Sequence, residues 1–367
     1  MKRYFLLLFI VTAFSVKPLR AQSLVKEAMN NFAAYGKSQE IDKLEKARKL
    51  IDAAYATRRD SLSYRNNLTR ALIYSTLAVV DSARKFTYKK DPVAETEFSV
   101  AKLRSPRFLD EHEPEITFIK KQLALAYLFR SNRALADFRY YEALNGYKKV
   151  DSLSPQSSGV THNLALLSQR LGLKEDAAGY YEELIESSPA PDYYLTLSEL
   201  YAELNEPSEM LRILQSGHEK FPRSRDILFK LLNTYTEKQD YPAVLTIIDD
   251  ALALDGSDTD LTYLAGFSNE MTGNRLKAEL YYKKTLAIDP NNYDGNYALG
   301  LLYLNSYLQN AHKEDQRLLA KQYLIKANEI NPNDVKLLRA LVILYKEAGD
   351  MLQLQRVNSK LNELILN

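Results

Sequence analysis

Turn residues punctuate this chain at a nearly fixed spacing. Pro155, Pro189, Pro222, Gly256, Pro290 and Pro332 stand 34, 33, 34, 34 and 42 residues apart. A period of that length selects stacked supersecondary units over a single globular core. Each interval divides into two amphipathic stretches of about 12 to 15 residues, whose apolar side chains keep helical rather than strand spacing. Short breaks separate the stretches: Gly172-Leu173-Lys174, Asn205-Glu206-Pro207, Gln239-Asp240-Tyr241, Gly273-Asn274 and Gly349-Asp350. Glycine there can take the left-handed conformation that closes a helix. Asp289-Pro290-Asn291-Asn292 and Asn331-Pro332-Asn333-Asp334 supply turn chemistry between units. Each unit is therefore predicted to be a pair of antiparallel helices. The interval from Pro290 to Pro332 is eight residues longer than 34, and the surplus is expected within Asn305 to Arg317, as a longer hairpin or as a binding edge.

Composition narrows the function classes. The 367 residues carry 49 Lys+Arg against 47 Asp+Glu, a formal net charge of +2, which is neither the basic excess of a nucleic-acid binder nor an acidic disordered balance. With no cysteine there is no disulfide, thiolate metal site or cysteine nucleophile. With 26 Tyr, 13 Phe and no Trp, the stacking platform common in sugar-binding clefts is missing, so binding of glycan or cell-wall fragments is the weaker alternative.

The residues within the units resemble the tetratricopeptide repeat, whose pattern runs Trp-x2-Leu-Gly-x2-Tyr, Ala-x3-Phe/Tyr, then Pro. In one unit Leu164, Ala165, Gly172, Ala177, Tyr181 and Pro189 fill these places, and the next has Tyr194, Leu197, Ser198, Tyr201, Leu214, Gly217 and Pro222. Gly266, Gly273, Ala278, Tyr282 and Pro290 follow, then Leu299, Gly300, Tyr303, Ala320, Ala327 and Pro332. The resemblance implies a right-handed α-solenoid of antiparallel helix hairpins, in which Ala or Gly lets two backbones approach and a large side chain fills the hole opposite. The expected organisation is a signal segment over 1–21, degenerate helical repeats over 22–113, regular repeats over 114–350 and a capping helix over 351–367.

Lys2 and Arg3, the apolar run from Tyr4 to Val16 and the polar return to Ala21 have the three-part build of a secretory signal, with cleavage expected after Ala21. The apolar run is shorter than the roughly 20 residues a membrane-spanning helix needs. Cleavage removes Lys2, Arg3, Lys17 and Arg20 and no acid, which takes the net charge from +2 to −2. Export without cysteine suits a bacterial periplasm, and docking on a larger envelope assembly is expected.

No nucleotide-binding, metalloprotease or hydrolase motif is present, and no cofactor or metal is expected. His112, His162, His218 and His312 are far apart along a linear array. Asp110-Glu111-His112-Glu113 reads as an acidic helix start, and Asp255-Gly256-Ser257-Asp258 reads as a turn rather than a calcium loop. The tyrosine doublets, such as Tyr180-Tyr181 and Tyr281-Tyr282, read as packing. Catalysis is not expected.

The resemblance places the fifth, ninth and twelfth residues of each first helix on one groove-facing stripe. These include His162, Leu166 and Gln169, then Leu195 and Glu199, Phe229, Tyr263 with Phe267 and Glu270, and Tyr297 with Leu301 and Leu304. Lysine is absent from every fifth place, unlike relatives that hold the acidic tails of heat-shock chaperones. The row Leu195, Glu199, Phe229, Tyr263, Phe267, Glu270, Tyr297 and Leu301 is the expected contact surface for a protein or peptide segment with apolar anchors. The competing expectation is that these side chains pack on the adjacent unit.

Overall fold

The computed structural model describes residues 22–366 apart from 84, 87, 156 and 310–312. The expected signal segment therefore lies outside the described residues, as does His312. All regular structure among the described residues is helical. The chain divides into two compact units, one ending at Pro189 and the other beginning at Ala190.

In the first unit, α1 covers residues 22–38, followed by α2 (Ile41–Ala54), α3 (Arg58–Leu62), α4 (Tyr64–Val80), α5 (Pro92–Val100), α6 (Pro106–Glu111), α7 (Glu113–Ala136), α8 (Tyr140–Leu153), α9 (Ser158–Arg170) and α10 (Lys174–Ser187). Only the last four make regular hairpins, α7 with α8 and α9 with α10. Before them α4 is a central helix, with every residue from Asn67 to Ala78 buried. Its Ile73, Tyr74 and Leu77 pack with Val25, Ala28, Leu44, Ala47 and Ile51 of α1 and α2. Its Leu68, Ala71 and Leu72 meet Ile119, Leu123 and Ala126 of α7.

The second unit repeats one design: α11 (Pro191–Glu203) and α12 (Pro207–Lys220), α13 (Arg225–Glu237) and α14 (Tyr241–Leu254), α15 (Thr259–Met271) and α16 (Arg275–Ile288), α17 (Tyr293–Gln309) and α18 (Glu314–Ile330), then α19 (Val335–Glu347) and α20 (Met351–Leu366). Each second helix before α20 touches its own partner and the first helix of the next pair. Aspartates start several helices: Asp258 accepts from the N–H groups of Asp260 and Leu261, and Asp334 accepts from that of Leu337. Within a pair, glycine makes room. A Cβ on Gly266 would sit 2.5 Å from the Tyr282 ring, and one on Gly300 would sit 2.6 Å from Leu324.

Six of the breaks inside pairs share one closure. Residues 138, 172, 205, 239, 273 and 349 all have positive φ, between 58° and 81° apart from 55° at Gln239. At each, the following N–H donates five residues back, as Leu173 does to Ser168 at 2.9 Å and Glu206 to Tyr201 at 2.8 Å. This is the Schellman end of a helix. Only Gly172, Gly273 and Gly349 use glycine; Phe138, Asn205 and Gln239 do the same work with a side chain.

The surplus of the long unit is distributed. α17 has 17 residues where α15 has 13, α18 has 17 where α16 has 14, and the connection gains one residue. The insertion thus lengthens both helices. Its added turn is partly buried: Tyr307 is 5 % exposed and its hydroxyl donates to the Glu347 carbonyl of α19 at 3.3 Å.

Candidate binding surfaces

The expected contact row lies wholly in the second unit. Leu195, Phe229, Tyr263, Phe267, Tyr297, Leu301 and Glu270 are half-buried, and Glu199 is exposed. Leu195 and Phe229 pack against one hydrophobic cluster, and Tyr263, Phe267, Tyr297 and Leu301 against the next. Tyr263 stacks on Phe267 at 6.2 Å, and Tyr241 of α14 meets the edge of Phe267 at 5.3 Å. Burial pushes the Tyr263 phenol up to about 12, helped by the carboxylates of Asp294 and Glu270 and by Tyr297. Glu270 accepts from the Tyr282 hydroxyl at 2.6 Å, so its carboxylate holds a core phenol. Glu199 faces Lys230 at 3.6 Å, and Arg225 lies over the Phe229 ring at 5.0 Å. Leu304, at a twelfth place, is 2 % exposed and belongs to the core.

The remaining sequence candidates have local roles. Asp255 accepts from the Ser257 hydroxyl at 2.9 Å within its turn. The His112 ring lies tilted against that of Phe108 at 4.4 Å and faces Glu115 at 3.5 Å. Tyr281 reaches back to Asp249 of the preceding pair at 3.1 Å, while Tyr282 fills the space above Gly266. Among the described residues no group of three or more His, Cys, Asp and Glu side chains is placed to hold a metal ion, and no helix is long and apolar enough to cross a membrane.

Two features escaped the sequence reading, both in the first unit. One is a cleft of about 540 Å³ lined by Leu135, Phe138, Tyr140, Leu166, Gln169 and Arg170, among others. Phe138 is 75 % exposed and Leu166 is 45 % exposed. Arg170 lies over the Tyr140 ring at 4.5 Å, and Phe138 meets the edge of that ring at 6.2 Å. Phe138 also has φ 58°, a region where a bulky residue is an outlier costing roughly 1–2 kcal/mol. Its signal in the sequence was its distance of 34 residues from Gly172, visible only once the left-handed positions are aligned.

The other is an ionic cluster around α4. The Arg70 side chain is fully buried, with one nitrogen 2.6 Å from Asp52 and another 2.6 Å from Glu95. Its guanidinium lies against the rings of Tyr55 and Tyr74 at 4.8 and 4.5 Å. Tyr74 donates to Asp52 at 2.8 Å, and Arg48 ties Asp52 to Glu45 at 2.9 and 2.7 Å. The hydrogen bond from Arg48 holds the Glu45 carboxyl below its usual range. This cluster supports the fold, because every polar group in it has a partner within the protein.

No family model matches the chain. It is similar to anaphase-promoting complex subunit 3 of Schizosaccharomyces pombe, at 22% identity over 218 residues, which is 59% of this chain but 31% of that relative. Among solved structures it is similar to MamA, at 17% identity over 46% of this chain and 94% of that one, with a TM-score of 0.39. It is also similar to YrrB, described as a TPR protein with an unusual peptide-binding site, at 18% identity over 52% and 95% of the two chains and a TM-score of 0.34. The C-terminal part of a TPR repeat-containing protein from Cytophaga hutchinsonii covers 64% of this chain and 93% of its own at 15% identity, with a TM-score of 0.44. What identifies the chain is internal to it. A helix pair closed by a left-handed residue recurs at residues 138, 172, 205, 239, 273 and 349 and sets small residues against large ones at its crossing; that recurring pair gives the chain a tetratricopeptide-like helical-repeat fold.

Proposed function

We propose that the protein is a non-catalytic interaction scaffold that holds a partner protein segment on the faces lined by its first helices. Phe138 carries this reading. A phenylalanine three-quarters exposed in a left-handed conformation is disfavoured twice, by solvent and by its backbone, where glycine serves the same closure in three other pairs. Strain and exposure together mark a position kept for something other than folding. With Tyr140, Leu135 and Leu166 it offers an aromatic anchor site of the kind that dominates protein interfaces. In the second unit, the half-exposed row from Leu195 and Glu199 through Phe229, Tyr263, Phe267 and Glu270 to Tyr297 and Leu301 is the corresponding surface. The basic and apolar pattern of residues 1–21 supports an envelope location for the complex.

The test is capture from envelope extract followed by affinity measurement with the captured partner. Phe138→Gly should raise the melting temperature slightly and weaken binding by at least tenfold. Phe267→Ala separates binding from packing in the second unit: lost affinity with a small change in melting supports the row, and lost stability at full affinity removes it. Unchanged affinity in both variants would overturn the reading.

A further inference from the structure

Counting back from the left-handed residue of each pair aligns the first helices. The residue eight before it is Leu164, Leu197, Leu231, Ala265 or Leu341, and each is at most 2 % exposed. The residue five before it is Leu167, Leu200, Thr234, Ser268 or Leu344, and each is at most 7 % exposed. In α7 those two core places hold Arg130 and Arg133, both exposed. They are inner positions of the repeat and do not belong to the first-helix stripe.

Packing accounts for the space but not for the residue type. α7 follows the irregular helices instead of a regular pair, and against α4 and α5 it leaves a cleft of about 250 Å³. Ala78, Asp81 and Ser82 line one side, Pro92 another, and Phe129, Arg130 and Arg133 the α7 side. A second leucine pair would have served a merely structural seam. Arg130 is neutralised, one nitrogen lying 3.0 and 2.8 Å from the two oxygens of Asp91, which also caps α5. Asp81 is committed elsewhere: its carboxylate accepts from the N–H groups of Lys85 and Phe86 at 2.6 and 3.2 Å and from the Tyr88 hydroxyl at 2.9 Å. The Arg133 guanidinium has no polar partner among the described residues.

We propose that this cleft is a binding site for a carboxylate, with Arg133 as its cation and the Arg130–Asp91 pair as its fixed wall. A guanidinium fork matches a carboxylate with two parallel hydrogen bonds, and apolar walls such as Phe129, Ala78 and Ala126 strengthen the field inside. The site is independent of whatever occupies the first-helix faces.

Calorimetry on the full chain would use three probes: succinate, the peptide acetyl-Ala-Ala-Glu-Ala-Ala-amide and its Gln counterpart. Binding of succinate points to a free acid and binding of the Glu peptide to an acidic side chain on a partner; either supports the site. Arg133→Leu installs the residue that the fold carries at this place in three other pairs, so melting should be unchanged or raised while affinity falls at least tenfold. Arg133→Lys should retain part of the binding, and Arg133→Gln repeats the test should the leucine variant melt lower. Equal affinity in wild type and Arg133→Leu, equal binding of the Glu and Gln peptides, or binding of none of the three probes would overturn the proposal.

Discussion

The helices around α4 and the pairs of the second unit solve the same problem with different chemistry. In the second unit, stability comes from small residues under large ones, as at Gly266 with Tyr282 and Gly300 with Leu324, repeated from pair to pair. Ion pairs there lie at the surface: Lys283 and Glu279 are 2.7 Å apart with side chains 49% and 25% exposed. Around α4 a fully buried arginine holds two carboxylates from α2 and α5 and stacks on two tyrosines. The first design can be extended by adding pairs, because each touches only its neighbours. The second cannot, because Arg70, Asp52 and Glu95 must all be present at once.

The difference is sharpest under truncation of one charge. Arg70→Ala leaves the Asp52 and Glu95 carboxylates facing a buried void and should cost about 3–5 kcal/mol. Lys283→Ala should cost under about 1 kcal/mol, as exposed pairs do. Denaturant melts with hydrogen exchange on α4 measure both, and similar costs would break the comparison. Next come the glycines. Gly300→Ala puts a methyl 2.6 Å from Leu324 and 3.1 Å from its backbone nitrogen, and should destabilise by about 1–3 kcal/mol. Gly179 in α10 has open space around its Cβ position, so Gly179→Ala should gain about 0.5–1 kcal/mol. Thermal melts that rank these two the other way would mean the close approach is not what places Gly300.

The smallest effect is acid sensitivity. Arg48 lowers the Glu45 carboxyl below its usual 4.5 in the folded chain, so the folded state binds that proton less readily than the unfolded one. Its stabilisation is complete above pH 4.5 and fades as pH falls through the lowered value. Glu45→Gln should flatten that part of the stability profile while leaving neutral-pH binding alone. An unchanged slope below pH 4.5 would remove Glu45 from the account of acid sensitivity.

Much of this was readable in the chain. The punctuation at Pro155, Pro189, Pro222, Gly256, Pro290 and Pro332 marks the ends of pairs, and the breaks at Gly172, Asn205, Gln239, Gly273 and Gly349 fall where the helices close. Phe138 was missed because nothing local in a phenylalanine announces a left-handed backbone. The fading of the repeat before residue 114 was visible, but a central helix buried on all sides was not, since α4 carries Asn67, Thr69, Arg70, Ser75 and Thr76 inside. Hydrophobic spacing finds a stripe, and a helix whose polar residues are satisfied by others shows none. For the contact row, spacing placed the side chains on one stripe, and only the neighbouring pair decided how far each is covered.

What the sequence by itself determined is everything set by contacts within one period: helix pairs, their closures, their capping aspartates and the extra eight residues before Pro332. These depend on hydrogen bonds and apolar spacing that span a few residues. The tertiary structure alone decided the pairing of Arg70 with Glu95, the burial of Leu304, the cleft beside Phe138 and the exposure of Arg130 and Arg133. Each of those depends on which surface arrives from another helix, and a repeat pattern, being the same in every unit, carries no information about the place where the neighbour is different.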